Sequence, residues 1–261
     1  MPEISRIPPK ILVTNDDGIE SILLREMVAR LATKFNLIVA APSEERSFCG
    51  RSFSFRGDVS AEPVDSLSCP AFKIDGTPSD CVNIALGHLC GDTLPDLLLS
   101  GPNIGRNTSL GFIHGSGTVA GALEGAFWDL PALAVSQGFE SNALARELHK
   151  LDALPDDFRT TFDRGLDFVE QAIERVLEKP PERLRVDSIN LPHNYAPDAV
   201  AFREVPAIDY KYRSFFQKTE SGAFTSGMGE RTRVTPEETF TDLDCLRAGY
   251  PSWTVLNFAK I

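Results

Sequence analysis

Short, unbroken apolar runs recur along most of this chain: KILVT at 10–14, LIVAA at 37–41, LLLS at 97–100 and ALAVS at 132–136. Each is too short for a stable helix and lacks the alternation of a half-exposed strand, so each reads as a strand buried on both faces. The segments between them have helical period. After Gly18, the residues Leu23, Leu24, Met27, Val28 and Leu31 share one helix face. Thr77, Pro78 and Asp80 form a helix start (cap, first-turn proline, acidic third position) that runs to about Cys90. TVAGALEGAFW at 118–128 reads as a small-residue helix, and a charged amphipathic helix spans 158–177 before Pro180 and Pro181. Strands alternating with helices specify an α/β protein, with a mostly parallel sheet covered by helices on both faces. RVDSINL at 185–191 adds a further strand. The chain then divides into a core over 1–192, a polar and aromatic arm or set of hairpins over 193–237, and a closing segment over 238–261. The arm carries turn signals at Ser221-Gly222 and 227–229. The closing segment holds a short helix or turn at 241–250 and a last strand, SWTVL, at 252–256.

Charge narrows the function. With 26 Lys+Arg against 37 Asp+Glu, the 261-residue chain has a net charge of −11. A phosphate backbone or an anionic membrane is held mainly by basic surface, so nucleic-acid duplexes and membranes are excluded as general partners. A small phosphorylated ligand is not excluded, because a cation or a ring of backbone amides can neutralise it locally. The five cysteines (Cys49, Cys69, Cys81, Cys90 and Cys245) contain no C-x-x-C pair and read as reduced thiols. The opening MPEISRIPPK has no apolar leader core, and no apolar run reaches membrane-spanning length. A cytoplasmic protein is expected.

Three loops carry the chemistry, and each follows one of these strands: Asn15-Asp16-Asp17-Gly18, SEERSFCG at 43–50 and GPNIGRNTSLG at 101–111. In an open parallel sheet such loops meet at the carboxyl edge, where strand order reverses and ligands bind. Their donors are carboxylates, a hydroxyl and amide oxygens, which suit Mg²⁺, Mn²⁺ or Ca²⁺ better than softer metals. Ser116-Gly117-Thr118 opens a helix, and the free amides there form a ready phosphate site. A cation beside such a site points to phosphate-ester chemistry. Taken singly, each feature has a structural reading. Asp16 and Asp17 can cap a helix, Ser47 can be an ordinary loop hydroxyl, and Asn103 and Asn107 can be left-handed turn residues. GSGTVAG at 115–121 misses the dinucleotide glycine spacing by one residue. His88 and His149 read as packing or surface residues, and His114 as an acid/base candidate.

Together the motifs resemble the SurE family (stationary-phase survival protein). ILVTNDDGI is similar to its opening strand and N-D-D-G, and APSEERSFCG to its A-P-x-x-x-x-S loop. GTPSDCVNIAL, SGPNIGRN, SGTVAGALEG and TDLDCLRAGYPSWTVL follow in the family's order. The resemblance covers nearly the whole chain. It implies a Rossmann-like core, a protruding arm, and a homodimer or homotetramer built through that arm. It implies a metal-dependent nucleotidase that hydrolyses nucleoside 5′-monophosphates, and 3′ esters as an extension, with one Mg²⁺ or Mn²⁺ per subunit. Asp16, Asp17, Ser47 and Asn103 fall on the metal ligands. Asn15, Asn107, Ser116, Gly117 and Thr118 fall on the phosphate side, with Asp16, Asp17 and Asn107 as the catalytic set. The alternatives are a broader small-molecule or polyphosphate phosphatase and a non-catalytic nucleotide-binding regulator. Three departures stand out. Phe48 replaces the usual glycine after the loop serine, Cys245 replaces an alanine, and the segment between Asn107 and Ser116 is one residue longer, with His114-Gly115 where a tyrosine is common.

Overall fold

The computed structural model describes residues 7–227 and 229–260. Residues 1–6 of the opening segment and the centre of the 227–229 turn lie outside the described residues. The strands expected from apolar runs form first: β1 (Lys10–Thr14), then α1 (Ile22–Leu31), then β2 (Asn36–Pro42). β3 (Ala61–Val64) and β4 (Ala71–Ile74) follow, then α2 (Pro78–Ile84), which continues as a π-helical turn over Ala85–Leu89. β5 (Leu97–Ile104) runs four residues past the LLLS motif, through a register shift between Ser100 and Asn103. Next come α3 (Leu110–Gly115), α4 (Gly117–Phe127), β6 (Ala132–Gln137), α5 (Asn142–Leu148), α6 (Asp156–Leu177) and β7 (Arg185–Leu191).

Among the described residues the main sheet has nine strands. After β7 the chain adds a short strand, β8 (Arg203–Glu204), at its edge. Two small antiparallel hairpin sheets come next. β9 (Tyr210–Tyr212) pairs with β12 (Arg231–Arg233), and β10 (Phe216–Lys218) pairs with β11 (Phe224–Ser226). α7 (Asp242–Arg247) then leads into β13 (Ser252–Asn257), which lies between β7 and β8. The sheet order is β3-β4-β2-β1-β5-β6-β7-β13-β8, mostly parallel, with β3 and β13 antiparallel to β4 and β7. From β1 the chain winds one way to β2 and the other way to β5, and β1 and β5 are direct neighbours. That pair is the switch point.

Helices cover both faces. On one side, α1 buries Leu23, Leu24, Met27, Val28 and Leu31, and α6 buries Phe158, Phe162, Leu166, Val169 and Ile173 against Val13, Leu99 and Val135. On the other, Cys81, Val82 and Ala85 pack on Leu12, Ala40 and Leu98. Burying each large aliphatic side chain contributes about 1.5–3 kcal/mol, and these layers fix the strand ends from which the site loops leave. The Thr77 capping box forms as its sequence dictates, with the Thr77 side chain and the Asp80 carboxylate bonding reciprocally. All five cysteines are free thiols. Among the described residues no helix is long and apolar enough to cross a membrane.

Candidate active site

The first loop leaves β1 at the switch point. Asn15, Asp16 and Asp17 are buried there, and Gly18 turns the chain at φ +93°, a conformation side chains rarely adopt. The Nδ2 of Asn15 donates to the Gly18 carbonyl at 2.8 Å, which closes the turn and leaves Asn15 Oδ1 buried without a partner. Asp16 accepts a 2.6 Å bond from the Thr118 hydroxyl on the first turn of α4. Asp17 accepts from the Ile104 amide at 2.7 Å, next to Asn103, and its other oxygen lies 3.9 Å from Nε2 of His149. The second loop docks on the first, as the Arg46 amide donates to the Asp16 carbonyl at 2.7 Å. Its Ser47 hydroxyl donates to Glu45 at 2.6 Å.

The helix behind this pair is built for close approach. Ser116 caps α4, its hydroxyl accepting from the Val119 amide at 3.1 Å. At Gly117 a Cβ would stand 2.7 Å from the Cβ of Asp16 and 3.2 Å from the Arg46 carbonyl. Only glycine lets the two elements meet. Asn107 completes the inner wall. Its Nδ2 donates to Thr118 at 3.2 Å and to Ser136 at 2.9 Å, and its amide donates to Asn190 Oδ1 at 2.9 Å. Asn103, Ser136 and Asn190 are cross-strand neighbours at the ends of β5, β6 and β7. They form one polar row at the sheet's carboxyl edge.

Burial raises the Asp16 carboxyl to about 6, against the opposing hydrogen bonds of Thr118. Burial, and then the charge of Asp16, lifts Asp17 well above the ordinary carboxylate range. Two adjacent carboxylates in a buried place are poorly satisfied as bare anions, and a divalent cation is the partner that would relieve both. Among the described residues no three His, Cys, Asp or Glu side chains gather as a metal cluster. A cation here must therefore combine the two aspartates with neutral oxygens, which Ser47 and Asn103 present. The donor set fits a hard cation.

Asp16, Ser47, Asn103, Asn107 and Ser116 open onto one cavity of about 830 Å³. Arg106 and Arg231 line it too, so the cavity is not uniformly acidic. Asn15, Gly117 and Thr118 sit behind the wall and shape it. Another hollow, bordered by Pro131, Pro180 and Asp187, holds only about 20 Å³, too little for a substrate. His114 is exposed and stands edge-on to Phe258 with ring centroids 6.3 Å apart, outside the cavity lining. His149, which its charged surroundings marked as a surface or packing residue, instead faces Asp17. Glu45, Ser136 and Asn190 also escape sequence reasoning, although a serine ending the otherwise apolar run ALAVS is a signal at Ser136.

The family model described as Survival protein SurE matches residues 11–213. The chain belongs to the SurE family. A SurE relative from Methanosarcina barkeri, named 5′-nucleotidase SurE, is 35% identical over 191 residues, covering 73% of this chain and 69% of its own. The protein of the same name from a Bradyrhizobium species is 32% identical over 259 residues, covering 96% and 94%. The crystal structure of the SurE protein from Aquifex aeolicus superposes with a TM-score of 0.70 at 26% identity, covering 95% of this chain and 93% of that one. The SurE match begins at β1 and takes in all three loops. Likeness to the Bradyrhizobium and Aquifex proteins covers nearly the whole chain.

Proposed function

We propose that this chain hydrolyses nucleoside 5′-monophosphates to nucleoside and inorganic phosphate, with one Mg²⁺ or Mn²⁺ held by Asp16, Asp17, Ser47 and Asn103. The observation that carries the reading is the pair of adjacent buried carboxylates, of which Asp16 is bonded to the first turn of α4 and opens on one cavity with Ser47, Asn103 and Asn107, while Asp17 is anchored behind it on the Ile104 amide. The names of its SurE relatives support the nucleotide as substrate. When bound, such a cation supplies Lewis-acid polarisation of a phosphoryl oxygen and a lowered pKa for water. The chain's own residues do the rest. Asp17 stays anchored by the Ile104 amide, and Thr118 keeps Asp16 turned toward the cavity. Ser116, Gly117 and Thr118 present the positive end of the α4 dipole to the phosphate. Asn107 adds an amide donor if a phosphate oxygen takes the place of Ser136. Asn15 supports this side by holding the turn at Gly18. Water adds to phosphorus, the ester P–O bond breaks, and the nucleoside hydroxyl leaves with a proton. The hairpins of 210–233 would join copies into a homodimer or homotetramer, which sedimentation would measure.

The test is phosphate release from 5′- and 3′-mononucleotides, para-nitrophenyl phosphate and polyphosphate, with Mg²⁺, Mn²⁺ or EDTA. Release led by 5′-mononucleotides, lost with EDTA and lost in Asp16→Ala, supports the reading. Equal turnover of all the esters makes the chain a broad phosphatase. Nucleotide binding without release makes it a regulator. Full activity in Asp16→Ala removes the site.

A further inference from the structure

Beside the carboxylates the cavity has an aromatic wall. Phe48, Phe112, Tyr212 and Phe215 all line it. Phe48 meets Phe112 at 5.3 Å and Phe215 at 6.2 Å between ring centroids, and Tyr212 lies 4.8 Å from Phe215. Three separate parts of the chain supply these rings: the loop after β2, the helix α3, and the arm. They close on α3 where its glycines stand one turn apart. A Cβ on Gly111 would lie 3.0 Å from the Tyr212 ring, and one on Gly115 would lie 3.0 Å from the Phe48 ring.

This is not ordinary core. Phe48 is 58% exposed and Phe215 36% exposed. Phe48 also sits at φ +56°, where a side chain is strained and glycine is not. A residue that is at once strained, exposed and apolar lowers stability in two ways, and such strain gathers at ligand clamps. Phe48 directly follows Ser47, so the ring starts where the proposed metal site ends. The cavity falls within the roughly 300–1,000 Å³ typical of small-molecule sites, with room beyond a phosphate.

The geometry points to this wall as the nucleobase subsite, with Phe48 and Phe215 stacking on a base whose phosphate lies against Asp16 and Ser116. The inference rests on the nucleotide reading of the site and adds the residues that recognise the base. The experiment compares AMP with ribose 5-phosphate, which keeps the sugar and phosphate but has no base. Both kcat/KM and calorimetric Kd are measured with Mg²⁺ for the unaltered chain, Phe48→Gly and Phe215→Ala. Phe48→Gly relieves the backbone, and Phe215→Ala alters the arm without touching the Ser47 loop. The preference for AMP over ribose 5-phosphate should fall about tenfold in each variant, as expected for the loss of one stacking partner. If the two ligands weaken in step in both variants, the rings only shape the loops and the inference is overturned. An unaltered chain that binds the two equally overturns it as well. If neither compound is hydrolysed, the phosphatase reading fails, yet an AMP binding preference lost in both variants still upholds the wall.

Discussion

At the scale of single residues, the site depends on side chains that hold other side chains. The hydroxyl of Ser47 can offer its lone pairs to a cation only while its proton is directed elsewhere, and the Glu45 carboxylate accepts the hydrogen bond it donates at 2.6 Å. Outer partners of this kind commonly matter by about 10–100-fold in metal affinity. Glu45→Ala should therefore weaken Mn²⁺ binding about tenfold, while Glu45→Gln, which keeps an acceptor oxygen, should recover most of it. Calorimetric titration with Mn²⁺ checks this, and equal affinity in all three proteins would show that the Glu45 contact is incidental. Gly117 is a sterner case. An alanine there meets Asp16 at 2.7 Å and backbone at 3.2 Å, so Asp16 or α4 must shift. Displacements near 1 Å can cost about 10²-fold in rate, and Gly117→Ala should lower kcat by that order with a folded, monodisperse protein. Assay of the purified variant decides it, and wild-type turnover would mean α4 yields freely. The sequence makes Asp16, Asp17 and Gly18 conspicuous because carboxylates and glycine interrupt an apolar strand. Asn190 and His149 are not legible, since nothing local distinguishes them and only the fold brings them to the loops, whereas Glu45 lies in the Ser47 loop and only its contact with Ser47 is hidden.

At the scale of elements, what was readable followed from length and burial. β1, β2 and β6 announce themselves because a strand covered on both faces needs nearly continuous apolar sequence, whereas β7 (RVDSINL) is buried although it carries Asp187, Ser188 and Asn190. β3 and β4 are four residues each and partly exposed, so AEPV and AFKI leave too little pattern. α3 and α5 are six and seven residues, shorter than two full turns, and no periodicity can declare them. The glycine and proline at the end of β5 look like turn signals and suggest a loop, yet Asn103 pairs with Ser136 beyond the register shift. One buried residue ties the segment at Ile208 to the third loop. Asp242, at the start of α7, accepts from the amides of Ile208 at 2.9 Å and Ser109 at 3.0 Å, tying the arm's base to the third loop. Burial raises its carboxyl, and those same amides oppose the rise. Asp242→Ala strands both donors, at about 1–3 kcal/mol for each unpaired buried group. The variant should unfold about 3 kcal/mol more easily in urea, with proteolysis beginning near Ile208. Unchanged stability would show that the arm is held by its other contacts.

At the scale of the whole molecule, the paired aspartates couple folding to pH and to the cation. In the unfolded chain both carboxyls titrate near 3.9. In the fold burial raises the Asp16 carboxyl to about 6, and burial followed by the charge of Asp16 raises Asp17 well above the ordinary carboxylate range. Between about pH 4 and 6 the native state therefore holds protons that the unfolded state has released, and stability must fall as pH rises. The loss is complete for each carboxyl once the pH has passed its raised folded value. A cation that replaces those protons removes the penalty, but it must compete with them at low pH. Saturating Mn²⁺ should raise Tm by roughly 5–10 °C at pH 8, given about 2.7 kcal/mol at a hundredfold excess over Kd. At pH 5 the rise should be small. Asp16→Asn removes one of the two charges, so without metal it should be more stable than the unaltered chain at pH 8 and should gain little from Mn²⁺. Thermal melts at both pH values, with Mn²⁺ or EDTA, test this directly. An equal Mn²⁺ gain at pH 5 and pH 8 would place the bound ion away from the aspartates, and the strain of two buried carboxylates at the switch point would then need another partner.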